Sequence, residues 1–239
     1  MRIWAISDLH FPGERNKQMD QFGPVWREHI SRLVENWRRM VGNQDIVLVA
    51  GDITWAGNKD GVMNDLHRIA DLPGEYKIIV QGNHDFWWKK YKVIHDQLPK
   101  SIVTLKGHAI KLKNHIFCGS RGWLAPNDPC FDNLDHKTYQ KELVRMKRAL
   151  EEATAMRADE PIHTMMHFPP FTTHGAVTPF VSLITKYPVS NCVYGHFHFK
   201  SEWDVIPKGV IDGVAFHLTA TDYLEHQPQL IWDEKPVKK

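Results

Sequence analysis

A series of short apolar runs, each followed by polar residues, constrains the fold of this chain more than any other feature. The first three runs are 3–6, 46–50 and 76–80, and each has the length and composition of a strand buried on both faces. The patterns that follow these runs are typical of helices, at about 24–40, 61–72 and 86–98. This alternation of strand and helix predicts right-handed crossovers and a parallel sheet.

The pattern changes after residue 100. Short runs separated by Lys-Gly and Lys-Asn turns predict antiparallel hairpins at 102–105, 109–112 and 115–118. The remaining predicted elements are helices at about 135–157 and 179–186, strands at 162–166 and 191–194, and final antiparallel strands within 209–221 and 230–232. We see no internal repeat or interdomain linker, so we expect a single domain over 1–239 with a mixed α/β fold.

Composition and charge exclude several classes of protein. With 30 basic and 28 acidic residues the formal charge is +2, which is too balanced to indicate an extended nucleic-acid or membrane surface. The longest stretch without Asp, Glu, Lys or Arg, 161–185, contains four prolines and three histidines and is a poor membrane span. Cys118, Cys130 and Cys192 are dispersed, which favours a reducing compartment. We therefore expect a cytoplasmic protein.

Side chains that can bind metal ions follow five of the predicted strands. In chain order they are Asp8, His10, Asp52, Asn83, His84, His167, His196 and His198. Residues two apart in an extended segment point the same way, so Asp8 and His10 can converge on one centre. Ligand sites of open α/β sheets lie beyond the carboxyl ends of the strands. Each group alone has an ordinary structural explanation, but all five together indicate a site.

The chemistry of this set favours transition metals. Nitrogen and oxygen donors without thiolate are typical of Mn, Fe, Zn or Co sites rather than Ca or Mg sites. Apart from His84, which stands beside a carboxylate in the sequence, the seven ligands exceed what one ion with an open position needs, but they suit two divalent ions that share a bridging carboxylate. Two such ions, about 3.5–4 Å apart, can hold the attacking and leaving oxygens of a phosphoryl displacement.

The motifs resemble those of the calcineurin-like metallophosphoesterases, whose pattern is Asp-x-His, Gly-Asp, Gly-Asn-His-Asp/Glu, His and Gly-His-x-His. The resemblance runs from Asp8 to His198, which is most of the chain. It implies a four-layer αββα sandwich of two mixed β-sheets flanked by helices.

The resemblance also implies a role for each motif residue. Asp8, His10 and His198 would hold the first metal, and Asn83, His167 and His196 the second. Asp52 would bridge them, and a metal-bound hydroxide would attack a phosphate mono- or diester in line. His84 would stabilise the transition state or protonate the leaving oxygen, while Asp85 fixes its ring.

Other features bear on the substrate. Arg121 follows a predicted strand and is a candidate phosphate clamp, with a surface arginine as the alternative. The second motif, Gly51 to Gly57, lacks the Asp-Arg of Ser/Thr protein phosphatases, which disfavours that subgroup. We expect a small phosphate-ester substrate. The same centre would also suit a nuclease or a nucleotide or lipid pyrophosphatase, although the balanced charge argues mildly against long nucleic acids. A non-catalytic metal-binding scaffold is a further alternative.

Several properties stay open at this stage. The physiological substrate, the preference for mono- or diesters, the identity of the metals, the oligomeric state and the role of His174 do not follow from the sequence. Four loops, 11–23, 54–60, 121–134 and 168–180, are expected to form the pocket wall. His163 lies inside a predicted strand, and we interpret it as structural.

Overall fold

The computed structural model of the chain describes residues 1–15, 17, 19–126 and 128–234. In the first half the elements are β1 (Arg2–Ile6), α1 (His29–Met40), β2 (Ile46–Val49), α2 (Lys59–Ala70), β3 (Tyr76–Val80), α3 (Tyr91–His95), β4 (Ile102–Leu105), β5 (His108–Leu112) and β6 (His115–Gly119). In the second half they are α4 (Asn133–Met156), β7 (Ile162–Met165), α5 (Pro179–Ile184), β8 (Val189–Tyr194), α6 (Lys200–Val205), β9 (Gly209–Ile211), β10 (Val214–Leu218) and β11 (Gln229–Asp233).

The strands form two mixed sheets. The first has the order β11-β1-β2-β3-β4, in which only β11 is antiparallel to its neighbour. The second has the order β5-β6-β7-β8-β10-β9, with parallel pairing from β6 to β10 and antiparallel edge strands. The predicted parallel arrangement of the first three strands is confirmed.

Two of the predicted strand assignments are wrong. The run at 102–105 is the parallel edge strand β4 of the first sheet, so only β5 and β6 form a hairpin. The run near 230 is β11, which pairs with β1 in the first sheet, and β10 runs parallel to β8. Apolar runs show that a strand is buried, but they do not show which sheet it joins.

The helices in the regions 24–40, 86–98 and 179–186 are shorter than predicted. The region 24–40 begins with a 3-10 turn, Pro24–Trp26, and Glu28 adopts a left-handed conformation with φ of 52° before α1 starts. Asn58 caps α2, because its side chain accepts a hydrogen bond from the backbone amide of Gly61 at 2.8 Å. In the region 86–98 a 3-10 segment, Phe86–Lys90, precedes the short helix α3.

Three apolar clusters account for the layers. Ile3, Leu48, Ile78, Phe117 and Val193 are buried between the two sheets. The outer face of the first sheet packs against Leu33 and Trp37 of α1 and Leu66 of α2, and the outer face of the second packs against Met146 and Leu150 of α4 and Phe180 of α5. The four-layer αββα sandwich is therefore confirmed.

The topology brings the polar strand ends together. β1, β2 and β3 are parallel neighbours, and so are β6, β7 and β8, so that their carboxyl ends form one edge in each sheet. Ser7 joins these edges, since its amide donates to the Thr219 carbonyl at 2.8 Å and its carbonyl accepts from the Thr221 amide at 3.1 Å. Among the described residues, none of the helices has the length and apolar character needed to cross a membrane.

Candidate metal centre

Four of the predicted ligand residues have left-handed backbone conformations. The φ angles are 58° at Asp8, 48° at His10, 53° at Asp52 and 73° at His196. Non-glycine residues rarely adopt such angles, and they cluster at functional sites, where the surrounding structure holds them in place. Here they turn the chain sharply at the end of each strand, so that the side chains point across the edge of the sheets.

Two glycines make room for these side chains. A Cβ atom at Gly82 would clash with the Asp52 carboxylate, and one at Gly195 would clash with Ser7 and the Asp8 carboxylate. The glycines of the Gly-Asn-His-Asp and Gly-His-x-His motifs are therefore required by close packing of the loops around the carboxylates.

The first group of possible ligands consists of Asp8, His10 and His198, whose donor atoms lie within 4.8 Å of one another. The Nε2 atom of His198 is 3.5 Å from Oδ1 of Asp8. On the other side of its ring, Nδ1 of His198 lies 3.0 and 3.1 Å from the two carboxylate oxygens of Asp222. A histidine held in this way presents Nε2 to the centre, as carboxylate-bound histidine ligands do.

The second group surrounds Asn83. Its Oδ1 atom is 2.6 Å from Nε2 of His167 and 3.0 Å from Nδ1 of His196. The Nδ1 atom of His167 lies 3.0 Å from the Ala50 carbonyl and donates a hydrogen bond to it. Nε2 is therefore the unprotonated nitrogen, and it faces the centre. Asp8, Asp52 and His167 also place donor atoms within 4.8 Å of one another.

Asp52 lies between the two groups. Its Oδ2 atom is 3.8 Å from Nε2 of His10 and 3.7 Å from Nε2 of His167. Its Oδ1 atom accepts a hydrogen bond from the backbone amide of His84 at 2.8 Å, which fixes the carboxylate. This is the position that a bridging carboxylate requires.

The residues fit divalent cations. Asp8 Oδ1 and His10 Nδ1 are buried without a hydrogen-bond partner among the residues that the structure describes. A buried carboxylate oxygen without a partner is costly unless a cation balances it. The donors are imidazole nitrogens, carboxylates and one amide, the set expected for Mn, Fe, Zn or Co.

The buried charges perturb one another strongly. Burial raises the pKa of Asp52 well above its ordinary value, and the charges of Asp8 and Asp85 raise it further. Burial also acts to raise the pKa of Asp8, but the proximity of the His198 ring and the charge of that histidine lower it overall. Burial lowers the pKa of His167 to about 4. Two carboxylates with opposed pKa shifts at one site are typical of a cation-binding or catalytic centre.

His84 lies at the open side of the centre. Its side chain is 36% exposed, and its Nε2 atom is 4.0 Å from Oδ2 of Asp52. Burial, the charge of His167 and the charge of Lys17 lower its pKa to about 4. Its Nδ1 atom has no hydrogen-bond partner in the described chain.

The expectation that Asp85 fixes the His84 ring is wrong. Asp85 is fully buried, and its two oxygens accept hydrogen bonds from five N–H groups. The donors are the backbone amides of Asp52, Ile53, Thr54 and Gly82 and the indole of Trp87, at 2.7–3.4 Å. Asp85 thus ties the second motif to the third, and its hydrogen bonds in the described chain go to these loops rather than to the His84 ring.

Arg121 lies on the side of the second group. Its carbonyl accepts hydrogen bonds from the amides of His167 and Phe168, both at 3.0 Å, and its guanidinium carbon is 4.1 Å from the centroid of the Trp123 ring. Burial lowers its pKa, and the charge of Asp52 acts in the opposite direction. Its Nε atom is buried without a partner in the described residues, which is consistent with a ligand contact.

Sequence reasoning missed residues that lie directly behind or beside the ligands. Asp222 supports His198, and Trp55 stacks on His10 with ring centroids 5.0 Å apart. Trp26 is buried and contacts the rings of His10 and His198, with ring centroids 5.7 and 5.6 Å apart. A lone aspartate or tryptophan in a loop has no spacing that distinguishes it, so no signal in the sequence marks these three.

Two other histidines lie outside the centre. His163 is buried and hydrogen-bonded to His115 and Asn191 at 2.9 and 3.1 Å, which confirms that it is structural. His174 lies in the loop before α5, where its backbone amide donates to Thr172 Oγ1 at 3.3 Å.

The fold and these motifs together match a known protein family. The family model of the calcineurin-like phosphoesterases matches residues 1–200. The chain belongs to the calcineurin-like phosphoesterase family.

The names of similar proteins state no activity. The chain is 35% identical over 82 residues to the Gene 66 protein of Mycobacterium phage L5 and 32% identical over 94 residues to an uncharacterized protein of Methanocaldococcus jannaschii. These matches cover 34% and 39% of this chain, and 39% and 52% of those proteins, so the chain spans only about two fifths to one half of the length of these relatives. A crystal structure of a protein of unknown function from Aquifex aeolicus matches with a TM-score of 0.50 and 17% identity, covering 96% of this chain and 95% of that one. This last match shows the fold alone.

Proposed function

We propose that the protein is a phosphohydrolase that uses two divalent transition-metal ions to cleave small phosphate mono- or diesters. The observation that carries the proposal is the position of Asp52, whose Oδ2 atom lies 3.8 Å from His10 and 3.7 Å from His167. One carboxylate therefore reaches both ligand groups, as a two-metal centre needs.

The proposed ligand sets follow the two groups. Asp8, His10 and His198 would hold the first ion, and Asn83, His167 and His196 the second, with Asp52 between them. When bound, the ions would activate water as the nucleophile and offset the charge of the phosphate. The remaining chemistry belongs to the side chains of the protein.

His84 is the proposed proton donor. Its ring borders the centre and is partly exposed, so it can reach the oxygen of a leaving alcohol. In the ligand-free protein its pKa is lowered to about 4, and a bound phosphate anion raises it, because an opposite charge favours the imidazolium. Arg121 is the proposed partner of a phosphate oxygen, supported by its buried Nε atom, which has no hydrogen-bond partner in the described residues.

The metals, the substrate and the location remain parts of this proposal. Mn, Fe, Zn and Co all suit the donor set. All three cysteines are free, which fits a reducing compartment such as the cytoplasm. The mixed surface charge favours a small substrate over a long nucleic acid.

Hydrolysis of two chromogenic esters tests the proposal. The Mn-loaded protein should hydrolyse bis-p-nitrophenyl phosphate or p-nitrophenyl phosphate. The rate of Asp52→Asn should be lower by about a hundredfold or more, because the substitution removes the charge of the bridging carboxylate. No metal-dependent turnover of either ester, or equal turnover by the variant, would contradict the proposal. A panel of cyclic nucleotides, dinucleotides and single-stranded DNA then separates an esterase from a nuclease or pyrophosphatase.

A further inference from the structure

Lys17 is not a proposed metal ligand, but only the ring of Trp55 separates its charge from histidines of the centre. The Nζ atom of Lys17 is 3.2 Å from the centroid of the Trp55 ring. The same indole stacks on His10, with centroids 5.0 Å apart and planes 17° apart, and it contacts His84 with centroids 4.2 Å apart. Trp55 therefore lies between Lys17 and two histidines of the centre.

The ring of Trp55 gives this lysine a defined place. A cation over an indole face is attracted by the ring, and the contact restricts a side chain that otherwise has many rotamers. The indole is itself fixed, because its Nε1 atom donates to the sulfur of Met19 at 3.3 Å and its face packs on His10.

Lys17 also borders a cavity of about 530 Å³ next to the centre. Trp26, which contacts His10 and His198, forms part of its lining. His29 lines it as well; this side chain is 6% exposed, and its Nε2 atom has no hydrogen-bond partner in the described part of the chain. A buried polar atom without a partner, beside an open cavity, indicates that a ligand can complete its hydrogen bonding.

The charge around the cavity is mixed. Arg27 adds a second cation, but Asp20 and Glu28 also line the wall. The cavity as a whole therefore does not select an anion. Of the two cations in this wall, Lys17 is the one that lies against Trp55, the residue that contacts His84.

We propose that Lys17 binds a second anionic group of the substrate, beside the phosphate held at the metal centre, and that the adjoining cavity receives the organic part that carries this group. The preferred substrates would then have a second phosphate or carboxylate, and esters of neutral alcohols would bind less well. The inference rests on the proposed function, because it takes the centre as the place of the first phosphate.

Calorimetry with two non-hydrolysable ligands tests the inference. Propylphosphonate and propane-1,3-diphosphonate differ only in the second anionic group, and their C–P bonds survive an active centre. The Mn-loaded wild-type protein should bind the diphosphonate about tenfold more tightly, the equivalent of one good contact. Lys17→Ala should reduce this preference to about twofold or less, and Lys17→Arg should keep most of it.

Lys147→Ala is the matched control, because Lys147 is an exposed lysine on α4, paired with Glu151. It should leave the preference unchanged. An equal affinity of the wild-type protein for both ligands, or an unchanged preference in Lys17→Ala, would overturn the inference. Binding does not require turnover, so this result is separate from the hydrolysis of chromogenic esters that tests the proposed function.

Discussion

Asn83 and His84 are neighbours in the chain, yet their side chains meet different groups. Asn83 Oδ1 contacts His167 and His196, whereas the ring of His84 contacts Trp55 and approaches Asp52. An amide oxygen among imidazole nitrogens is suited to a metal, and a partly exposed imidazole is suited to the substrate. The two residues should therefore have separable roles.

Alanine substitutions should show this separation. Asn83→Ala should weaken binding of one of the two ions, because it removes a ligand atom. His84→Ala should keep both ions and lower kcat by about a hundredfold or more, the usual contribution of a positioned acid. Metal content by mass spectrometry and kcat at saturating Mn measure the two effects, and loss of metal in both variants would show that the division is wrong.

Asp222 should matter for metal affinity although it is not a proposed ligand. Its carboxylate holds Nδ1 of His198 at 3.0 Å and so orients Nε2 toward Asp8. We expect Asp222→Asn to reduce the affinity for Mn by about tenfold to a hundredfold, measured by competition with a chelator. Asp204→Asn, at an exposed aspartate of α6, is the control, and an affinity equal to wild type in Asp222→Asn would contradict this role.

Among the elements, the loops that follow β2 and β3 form one unit. The Asp85 carboxylate binds amides of both loops, and the amide of His84 in turn binds the Asp52 carboxylate. Parallel neighbouring strands bring these loops close, and reciprocal hydrogen bonds between carboxylates and amides then fix their positions. The location of the metal centre is thus a consequence of strand order.

Asp85→Asn should loosen this unit. The substituted amide turns a donor toward backbone N–H groups, so that buried donors lose their acceptor, at a cost of about 1–3 kcal/mol in the free energy of unfolding. Urea denaturation measures the loss, and Asp96→Asn, at an exposed aspartate, is the comparison. A variant as stable as wild type would show that the carboxylate does not hold the loops together.

The sequence predicted the positions of the strands better than the sheet that each strand joins. Continuous apolar runs identified β1, β2 and β3 and the strand ends that carry ligands, because burial on both faces and polar strand ends are local properties. The sheet joined by β4 and β11 could not be predicted, since their pairing depends on long-range contacts such as Arg2 with Asp233. For the same reason the contact between Asp222 and His198 could not be predicted, because it depends on the β-bridge between Ser7 and Ala220.

On the scale of the whole molecule, a second polar network crosses the structure away from the centre. It runs from His217 through Asn191 and His163 to His115 and Glu234, with four hydrogen bonds of 2.9–3.1 Å. Neutral histidines satisfy every step, since the amide of Asn191 donates to His163, which donates to His115, which donates to the Glu234 carboxylate. The network therefore needs uncharged rings.

This network should make the protein sensitive to acid. Burial lowers the pKa of His163 to about 3, so the unfolded chain takes up a proton near pH 6.5 that the folded chain resists. Stability is then full above pH 6.5 and falls as the pH drops toward 3, by up to about 1.4 kcal/mol per pH unit. The free energy of unfolding, measured by urea denaturation at pH 7 and pH 5, should decrease less between these pH values in metal-free His163→Gln than in the metal-free wild type. His67→Gln, at an exposed histidine, should show the same decrease as wild type. Equal slopes in His163→Gln and wild type would contradict this reading.

The central claim is that one centre holds two divalent ions bridged by Asp52. The most direct test is the metal content of the purified protein after reconstitution with Mn and removal of excess ions. Wild type should contain about two ions per chain, and Asp52→Asn should retain at most one, because the bridging ligand is shared by both sites. A wild-type protein that holds fewer than one ion, or an Asp52→Asn variant that still holds two, would contradict the claim.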